Sequence, residues 1–366
     1  MNYYEKELKA LKRSNRYRTR EVVDNSLKDF ASNDYLGFAH KKELFDKTVK
    51  KLEFISPHAS KASMLVNGYH QVHKDFEEAL SLANGFEDCV VLGSGFNANI
   101  ALIEALVRKG DRLFLDEKYH ASGVLASNLN GIDITFFTHN DTEELEELLR
   151  FSEAKRNIVA VEGIYSMDGD LCDKKIFDIV AKYDALLIVD EAHSSGVVGK
   201  KLMGVFDLYN IKIAPNHIKM GTLGKAYGSF GAYILASSHI VEYLLNRAKP
   251  IIYATSLSLF DTVLAHNALL YIQNNTEQLQ NQITQRKLLV QELFDVKMAG
   301  LIFPLVIGNN QEVMHIKEKM LVDGYSIGAI RQPTVENAIV RVIARLGEDE
   351  ESFKKLLLKL KEFVRC

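Results

Sequence analysis

The chain has 366 residues, more than one typical domain, and its 47% hydrophobic and 25% charged content is that of a globular protein with room for a large core. Lys plus Arg total 45 against 48 for Asp plus Glu, a formal charge of −3, which excludes a polyanion-binding field and with it nucleic acid as an expected partner. Three scattered cysteines, Cys89, Cys172 and Cys366, read as small apolar fillers in a reducing compartment, and no apolar run approaches a membrane span or a signal-peptide core, so a cytoplasmic protein is expected.

In chain order, residues 3–14 read as a charged amphipathic helix, followed by a basic arm with Arg13, Arg16, Arg18 and Arg20. Such an arm is either a solvated face or a site for a substrate phosphate or carboxylate. A polar turn follows at residues 32–37, and a helix is expected over 42–54. The next helix, 74–83, should turn Phe76, Leu80 and Leu82 inward. His70 and His73 lie three apart, but no further ligand cluster follows, so they read as structural histidines and no metal is expected.

Residues 89–107 give an apolar strand, then Gly93-Ser94-Gly95-Phe96, then an apolar-periodic helix. The start of such a helix offers free amide hydrogens to an anion, and a phosphate fits there. Strands at 112–116, 134–138, 158–164 and 186–189 then alternate with helices at 119–129, 142–151 and 175–183. That alternation predicts an α/β fold, a mostly parallel sheet covered on both faces by helices, with ligands at the carboxyl ends of its strands. His120, Ser166 and Asp190 fall at those ends.

Asp190-Glu191-Ala192-His193 closes the apolar run Leu186-Leu187-Ile188-Val189, and about thirty residues on, a strand-plus-crossover length, Lys225 stands among Gly221, Gly224, Gly228 and Gly231. A lysine among glycines is approachable. The pair suits a pyridoxal phosphate site, in which a lysine amine forms a Schiff base and a carboxylate keeps the ring nitrogen protonated. On that reading Lys225 carries the cofactor, Asp190 meets the pyridinium and His193 donates to the phenolic oxygen. An ordinary strand-end acid and a solvated surface amine are the alternative. Beyond a strand at 232–236 come helices at 240–248, 257–272 and 275–294, then a smaller α+β unit with strands at 302–307, 326–330 and 338–344 and helices at 311–322 and 350–364. Three units are expected: an arm at 1–40, a large cofactor-binding domain at 41–255, and connector helices with a small C-terminal domain at 256–366.

Seven stretches, in order, resemble the α-oxoamine synthases, pyridoxal phosphate enzymes of fold type I: Ser32-Asn33-Asp34-Tyr35-Leu36-Gly37, Ser94-Gly95-Phe96-Asn97-Ala98-Asn99, His120-Ala121-Ser122, Ser166-Met167-Asp168-Gly169-Asp170, Asp190-Glu191-Ala192-His193, Thr222-Leu223-Gly224-Lys225 and Ile330-Arg331-Gln332-Pro333-Thr334-Val335. The resemblance implies pyridoxal 5'-phosphate as cofactor, Lys225 as its attachment and proton shuttle, Asp190 at the ring nitrogen, His193 and Ser166 at the phenolic oxygen, and His120 on the ring face. It implies a phosphate held by Gly95, Phe96 and Thr222, with Thr255 and Ser256 contributed across a homodimer, an amino-acid carboxylate held by Asn33 and Arg341, and an acyl substrate near Thr334 and Arg16. The last stretch is most similar to the branch that condenses L-alanine with a pimeloyl thioester, on CoA or an acyl carrier protein, in biotin biosynthesis. Condensations of glycine or serine with acetyl-, succinyl- or palmitoyl-CoA, and transamination, are the alternatives. The chain departs from the family pattern over residues 58–68, which lack its glycine-rich run, and at Ala344-Arg345-Leu346-Gly347, where a Ser/Thr-Ala-x-His ending is usual.

Overall fold

A computed structural model describes residues 2–14, 16–20, 22–129, 131 and 133–363. Its centre is a seven-stranded sheet, ordered edge to edge Asp88–Leu92, Ala232–Ala236, His217–Thr222, Leu186–Asp190, Asn157–Glu162, Arg112–Asp116 and Ile134–Phe137. Only Ala232–Ala236 runs against its neighbours; the other pairs are parallel. The apolar runs explain why both faces are covered. Successive strand residues point to opposite sides, so Val159, Val161, Leu187 and Val189 enter one core while Ile158, Ala160, Ile188 and Ile218 enter another. Each fully buried aliphatic side chain contributes about 1.5–3 kcal/mol.

Four parallel strands end on polar residues, Asp116, Glu162, Asp190 and Thr222. Register aligns these ends: Glu162 pairs with Asp190, and Asp190 with Met220, two residues short of Thr222. One edge of an apolar sheet is thereby lined with chemistry.

A second sheet of three antiparallel strands, Gly328–Ile330, Ala338–Ile343 and Ile302–Gly308 in that order, forms the core of the C-terminal part with the helices Asn310–Val322 and Glu350–Lys361. The segment after the basic arm joins this part: Lys28–Asp29 pairs in parallel with Tyr325–Ser326. The connector helix Leu259–Asn274 instead packs on Lys42–Leu52 and Gln71–Asn84.

Several sequence expectations change. Leu82 is 85% exposed, whereas Phe76 and Leu80 are buried. Six residues from Phe76, Leu82 points away from the face that Val72, Phe76 and Leu80 define at i, i+4 spacing. The strand His217–Thr222 was not expected, because Lys219 and Gly221 interrupt its apolar pattern. The strand expected over 326–330 is broken at Ile327 into Tyr325–Ser326, paired to Lys28–Asp29, and Gly328–Ile330, paired to Ala338–Ile343. Cys89 and Cys172 are buried and free; Cys366 lies outside the described residues.

Candidate active site

Lys225, His193 and Asp190, expected to meet from separate segments, lie together at the carboxyl edge of the sheet. Lys225 Nζ is 2.7 Å from His193 Nε2, and the other ring nitrogen of His193 is 2.5 Å from the hydroxyl of Tyr35. Burial drives the Lys225 pKa down to about 8, with the charges of Asp190 and Glu162 limiting the drop. Burial, reinforced by Lys225 and Arg341, pushes His193 well below its ordinary value, so its ring is neutral. When Lys225 is charged it must donate to Nε2, which places the imidazole proton on Nδ1, directed at Tyr35.

Asp190 is held by donors on both oxygens. Asn99 Nδ2 donates to Oδ2 at 2.8 Å, the Ala192 amide donates to Oδ1 at 3.0 Å, and Tyr119 fixes Asn99 by donating to its Oδ1 at 2.6 Å. Asn99 and Tyr119 are functional candidates that the sequence reading did not single out. Asn99 lies one turn after Gly95 on the same helix, and that spacing is the available signal. Beside Asp190 on the next strand, Glu162 accepts from the Ser166 amide at 3.0 Å, and burial, then the Asp190 charge, raises its pKa well above the carboxylate range.

The residues expected to hold a phosphate lie near one another. Ser94 caps the helix Gly95–Leu106 by accepting from the Asn97 amide at 3.2 Å, leaving the Gly95 and Phe96 amides without intrahelical acceptors. A Cβ on Gly95 would lie 3.6 Å from Thr222 Cβ, so the helix start and the Thr222 strand end face each other. Burial lowers the His120 pKa, the charges of Asp190 and Lys225 reach it in opposite senses, and Ser122 Oγ is 2.7 Å from its Nδ1. Thr255 is exposed and the Ser256 hydroxyl is buried without a partner; a Cβ on Gly68 would lie 2.6 Å from it.

Across the cleft, Arg341 Nη1 donates to Asn33 Oδ1 at 3.0 Å and its Nε donates to the Ser166 carbonyl at 2.8 Å. Arg16 and Thr334 line one cavity of about 690 Å³, whose walls include Leu8, Leu11, Ile330 and Arg331. A larger cavity, about 850 Å³, opens near Asp111 and Asp133, at the amino ends of two strands and away from this chemistry. His70 and His73 form a helix cap, the His70 amide donating to His73 Nδ1 at 3.0 Å while His73 Nε2 donates to the Leu257 carbonyl at 2.8 Å. Among the described residues, no group of three or more His, Cys, Asp or Glu is arranged to hold a metal ion.

The donor set fits pyridoxal phosphate: a half-buried amine near its titration point, an anchored carboxylate, and a helix start with free amides. Fold and site together define a fold-type-I, pyridoxal phosphate-dependent transferase. A family profile described as aminotransferase class I and II matches residues 26–358. The chain is 40% identical over 356 residues to 8-amino-7-oxononanoate synthase of Helicobacter pylori, covering 96% of this chain and 95% of that one. It is 37% identical to a putative 8-amino-7-oxononanoate synthase of Aquifex aeolicus, covering 98% and 99%. Among solved structures, 8-amino-7-oxononanoate synthase of Francisella tularensis superposes with a TM-score of 0.75 at 26% identity, covering 92% and 97%. A serine palmitoyltransferase of S. paucimobilis gives 0.88 at 20% identity, covering 98% and 96%, a likeness of fold. The chain belongs to the aminotransferase class I and II family and, within it, to the α-oxoamine synthases, pyridoxal phosphate-dependent acyltransferases.

Proposed function

We propose that this protein condenses L-alanine with a pimeloyl thioester, on CoA or on an acyl carrier protein, releasing carbon dioxide and the free thiol and forming 8-amino-7-oxononanoate for biotin biosynthesis. The observation that carries the reading is the junction of Lys225, His193 and the Asn99-anchored Asp190 in a chain 40% identical to an 8-amino-7-oxononanoate synthase. The proposed reaction takes place in the cytoplasm, in a homodimer in which Thr255 and Ser256 of each copy reach the phosphate of the other.

Bound at this junction, pyridoxal phosphate supplies an electron sink for the charge that forms at the substrate Cα and again as carbon dioxide leaves. Asp190 keeps the ring nitrogen protonated, and its hydrogen bonds from Asn99 and Ala192 hold it in place. Lys225 takes the Cα proton and returns it, a role its pKa of about 8 suits near neutral pH. With Lys225 engaged by the cofactor, His193 Nε2 would be free to carry the imidazole proton to the phenolic oxygen while Tyr35 donates to Nδ1; Ser166 would bond the same oxygen, His120 would cover the ring face, and Gly95, Phe96 and Thr222 would hold the phosphate. Asn33 and Arg341 grip the alanine carboxylate. Arg16 and Thr334 receive the acyl group in the cavity of about 690 Å³, where Leu8, Leu11 and Ile330 suit methylenes and guanidinium groups suit a terminal carboxylate.

The test is thiol release by the purified, cofactor-loaded protein. Alanine with pimeloyl-CoA or its carrier-protein analogue should release thiol and form the amino ketone. Release only with glycine or serine and another acyl-CoA would overturn the substrate assignment, and an amino-donor half-reaction yielding pyridoxamine phosphate would overturn the reaction class.

A further inference from the structure

His139 has both ring nitrogens on carboxylates. Nδ1 is 3.0 Å from Asp116 Oδ1, and Nε2 is 2.8 Å from Asp170 Oδ2. A neutral imidazole carries one N–H, and an ionised carboxylate only accepts, so this geometry requires an imidazolium. The Asn140 amide, 3.4 Å from Nε2, donates instead to Asp170 Oδ2 at 3.2 Å and to the Leu171 carbonyl at 2.9 Å. The edge-on ring of Tyr165 packs 4.3 Å away, and Glu117 accepts from the His139 backbone amide at 3.1 Å. The His139 side chain is 14% exposed.

What the bridge joins matters for the reaction. Asp116 accepts from the amides of Lys118 at 2.9 Å and Asn140 at 3.0 Å, and its carbonyl accepts from Tyr119 at 2.9 Å, so it shapes the turn that presents Tyr119 and His120. Asp170 closes the other loop: its carbonyl accepts from Tyr165 at 2.9 Å, and that loop carries Ser166, whose carbonyl holds Arg341. Resting on the site reading above, we infer that His139, as an imidazolium between Asp116 and Asp170, is a positioning residue that locks the His120 turn to the Ser166 loop and so sets the spacing between the cofactor face and the amino-acid carboxylate clamp.

Its charge follows from its surroundings. Burial works against protonation, but the hydrogen bonds His139 donates to Asp116 and Asp170, together with their charges, outweigh it and raise the His139 pKa to about 9. A second link between the same loops, Lys118 to Asp168 at 3.0 Å, is about 40% exposed on both sides and contributes little.

The test has two readouts. In the ¹⁵N-histidine-labelled apoprotein at pH 7.5, one imidazole should show both nitrogens protonated and lose a proton only near pH 9; the signal should be missing from His139→Gln. This readout needs neither cofactor nor substrate, so its result is independent of which acyl thioester is used. In the loaded enzyme, His139→Gln and Asp170→Asn should each raise KM for the amino acid about tenfold or more, while Lys118→Ala matches wild type. A singly protonated His139 at pH 7.5, or an amino-acid KM within twofold of wild type in a folded His139→Gln or Asp170→Asn, overturns the inference. If His139→Gln does not fold, Asp170→Asn and the wild-type titration decide it.

Discussion

Arg341 reaches across 308 positions of sequence to donate to Asn33 at 3.0 Å, joining the last strand of the small sheet to the turn that leads into the large one. The same guanidinium donates to the Ser166 carbonyl at 2.8 Å, so the clamp proposed for the alanine carboxylate is preset by groups from three distant segments. Arg341→Lys keeps the charge but loses the fork geometry. Losing a charge-assisted hydrogen bond costs about 1.5–3 kcal/mol, so KM for alanine should rise about 10- to 100-fold with a smaller change in kcat. Steady-state kinetics at varied alanine check this; a KM within twofold of wild type would remove Arg341 from the clamp.

Lys225 provides a pH test before any substrate is added. Attachment of pyridoxal phosphate needs the neutral amine. With the pKa lowered by burial to about 8, the attachment rate of the apoprotein should climb about tenfold per pH unit below 8 and level off above it. Stopped-flow absorbance of the cofactor follows the reaction. A rate still climbing through pH 9.5, as for an ordinary lysine, would show that Lys225 is not buried as described, and Lys225→Ala should abolish attachment.

Much of the architecture is legible in the chain because buried parallel strands need near-continuous apolar runs, and Leu186–Asp190 and Asn157–Glu162 have them. His217–Thr222 escaped because its lysine is neutralised from far away. Lys219 Nζ donates to Asn84 Oδ1 at 2.8 Å and to the Met203 carbonyl at 2.5 Å, and lies 3.8 Å from Glu191. Motif stretches supplied the reacting groups, but not their supports. That Tyr35 serves His193 depends on a contact 158 positions apart, which no local pattern encodes, and for Asn99, 91 positions from Asp190, only the one-turn spacing from Gly95 gives a hint.

Asn99 is the most informative of these supports. Asn99→Ala removes the donor to Asp190 and leaves the Tyr119 hydroxyl, buried beside it, without its acceptor. A freed carboxylate in a pocket this closed shifts away from the position where it meets a ring nitrogen, and loss of one preorganised electrostatic contact costs about 100-fold in kcat. Asn99→Ala should therefore lower kcat by about that factor while KM for the thioester stays near wild type. An unchanged kcat would show that Asp190 is positioned by the Ala192 amide alone.

The unusual Ala344-Arg345-Leu346-Gly347 ending has a structural role. Arg345 is 1% exposed and pairs with Asp29 and Asp34, each at 2.5 Å, while the Leu346 amide donates to the Tyr35 carbonyl at 2.8 Å. Next to it, Gly37 has φ +73° and lies so close to Gly347 that a Cβ on it would be 2.4 Å from the Gly347 Cα. Removing one partner of a buried ion pair costs about 3–5 kcal/mol, because the remaining charge stays buried. Arg345→Ala should lose about that much stability in urea titration. A loss below about 1 kcal/mol would mean that Asp34 takes up a proton at little cost; burial already raises its pKa.

The pH dependence of stability separates two groups that pull in opposite directions. His139 titrates at about 9 in the fold against an ordinary value of 6.5, so its stabilisation is complete below 6.5 and is lost as pH rises through 9. Lys225 titrates at about 8 in the apoprotein against 10.5, so between 8 and 10.5 the unfolded chain binds the extra proton and stability rises with pH. Glu77, raised by burial from 4.5 to about 7, adds a loss confined to lower pH. The three contributions overlap in wild type alone, but Lys225 and Glu77 cancel in the difference between wild type and His139→Gln. That difference in urea midpoint, measured on apoprotein from pH 6 to 9.5, should shrink steadily as pH rises through 9. A difference that stays constant over the range would mean that His139 carries the same charge folded and unfolded, and the imidazolium bridge would have to be abandoned.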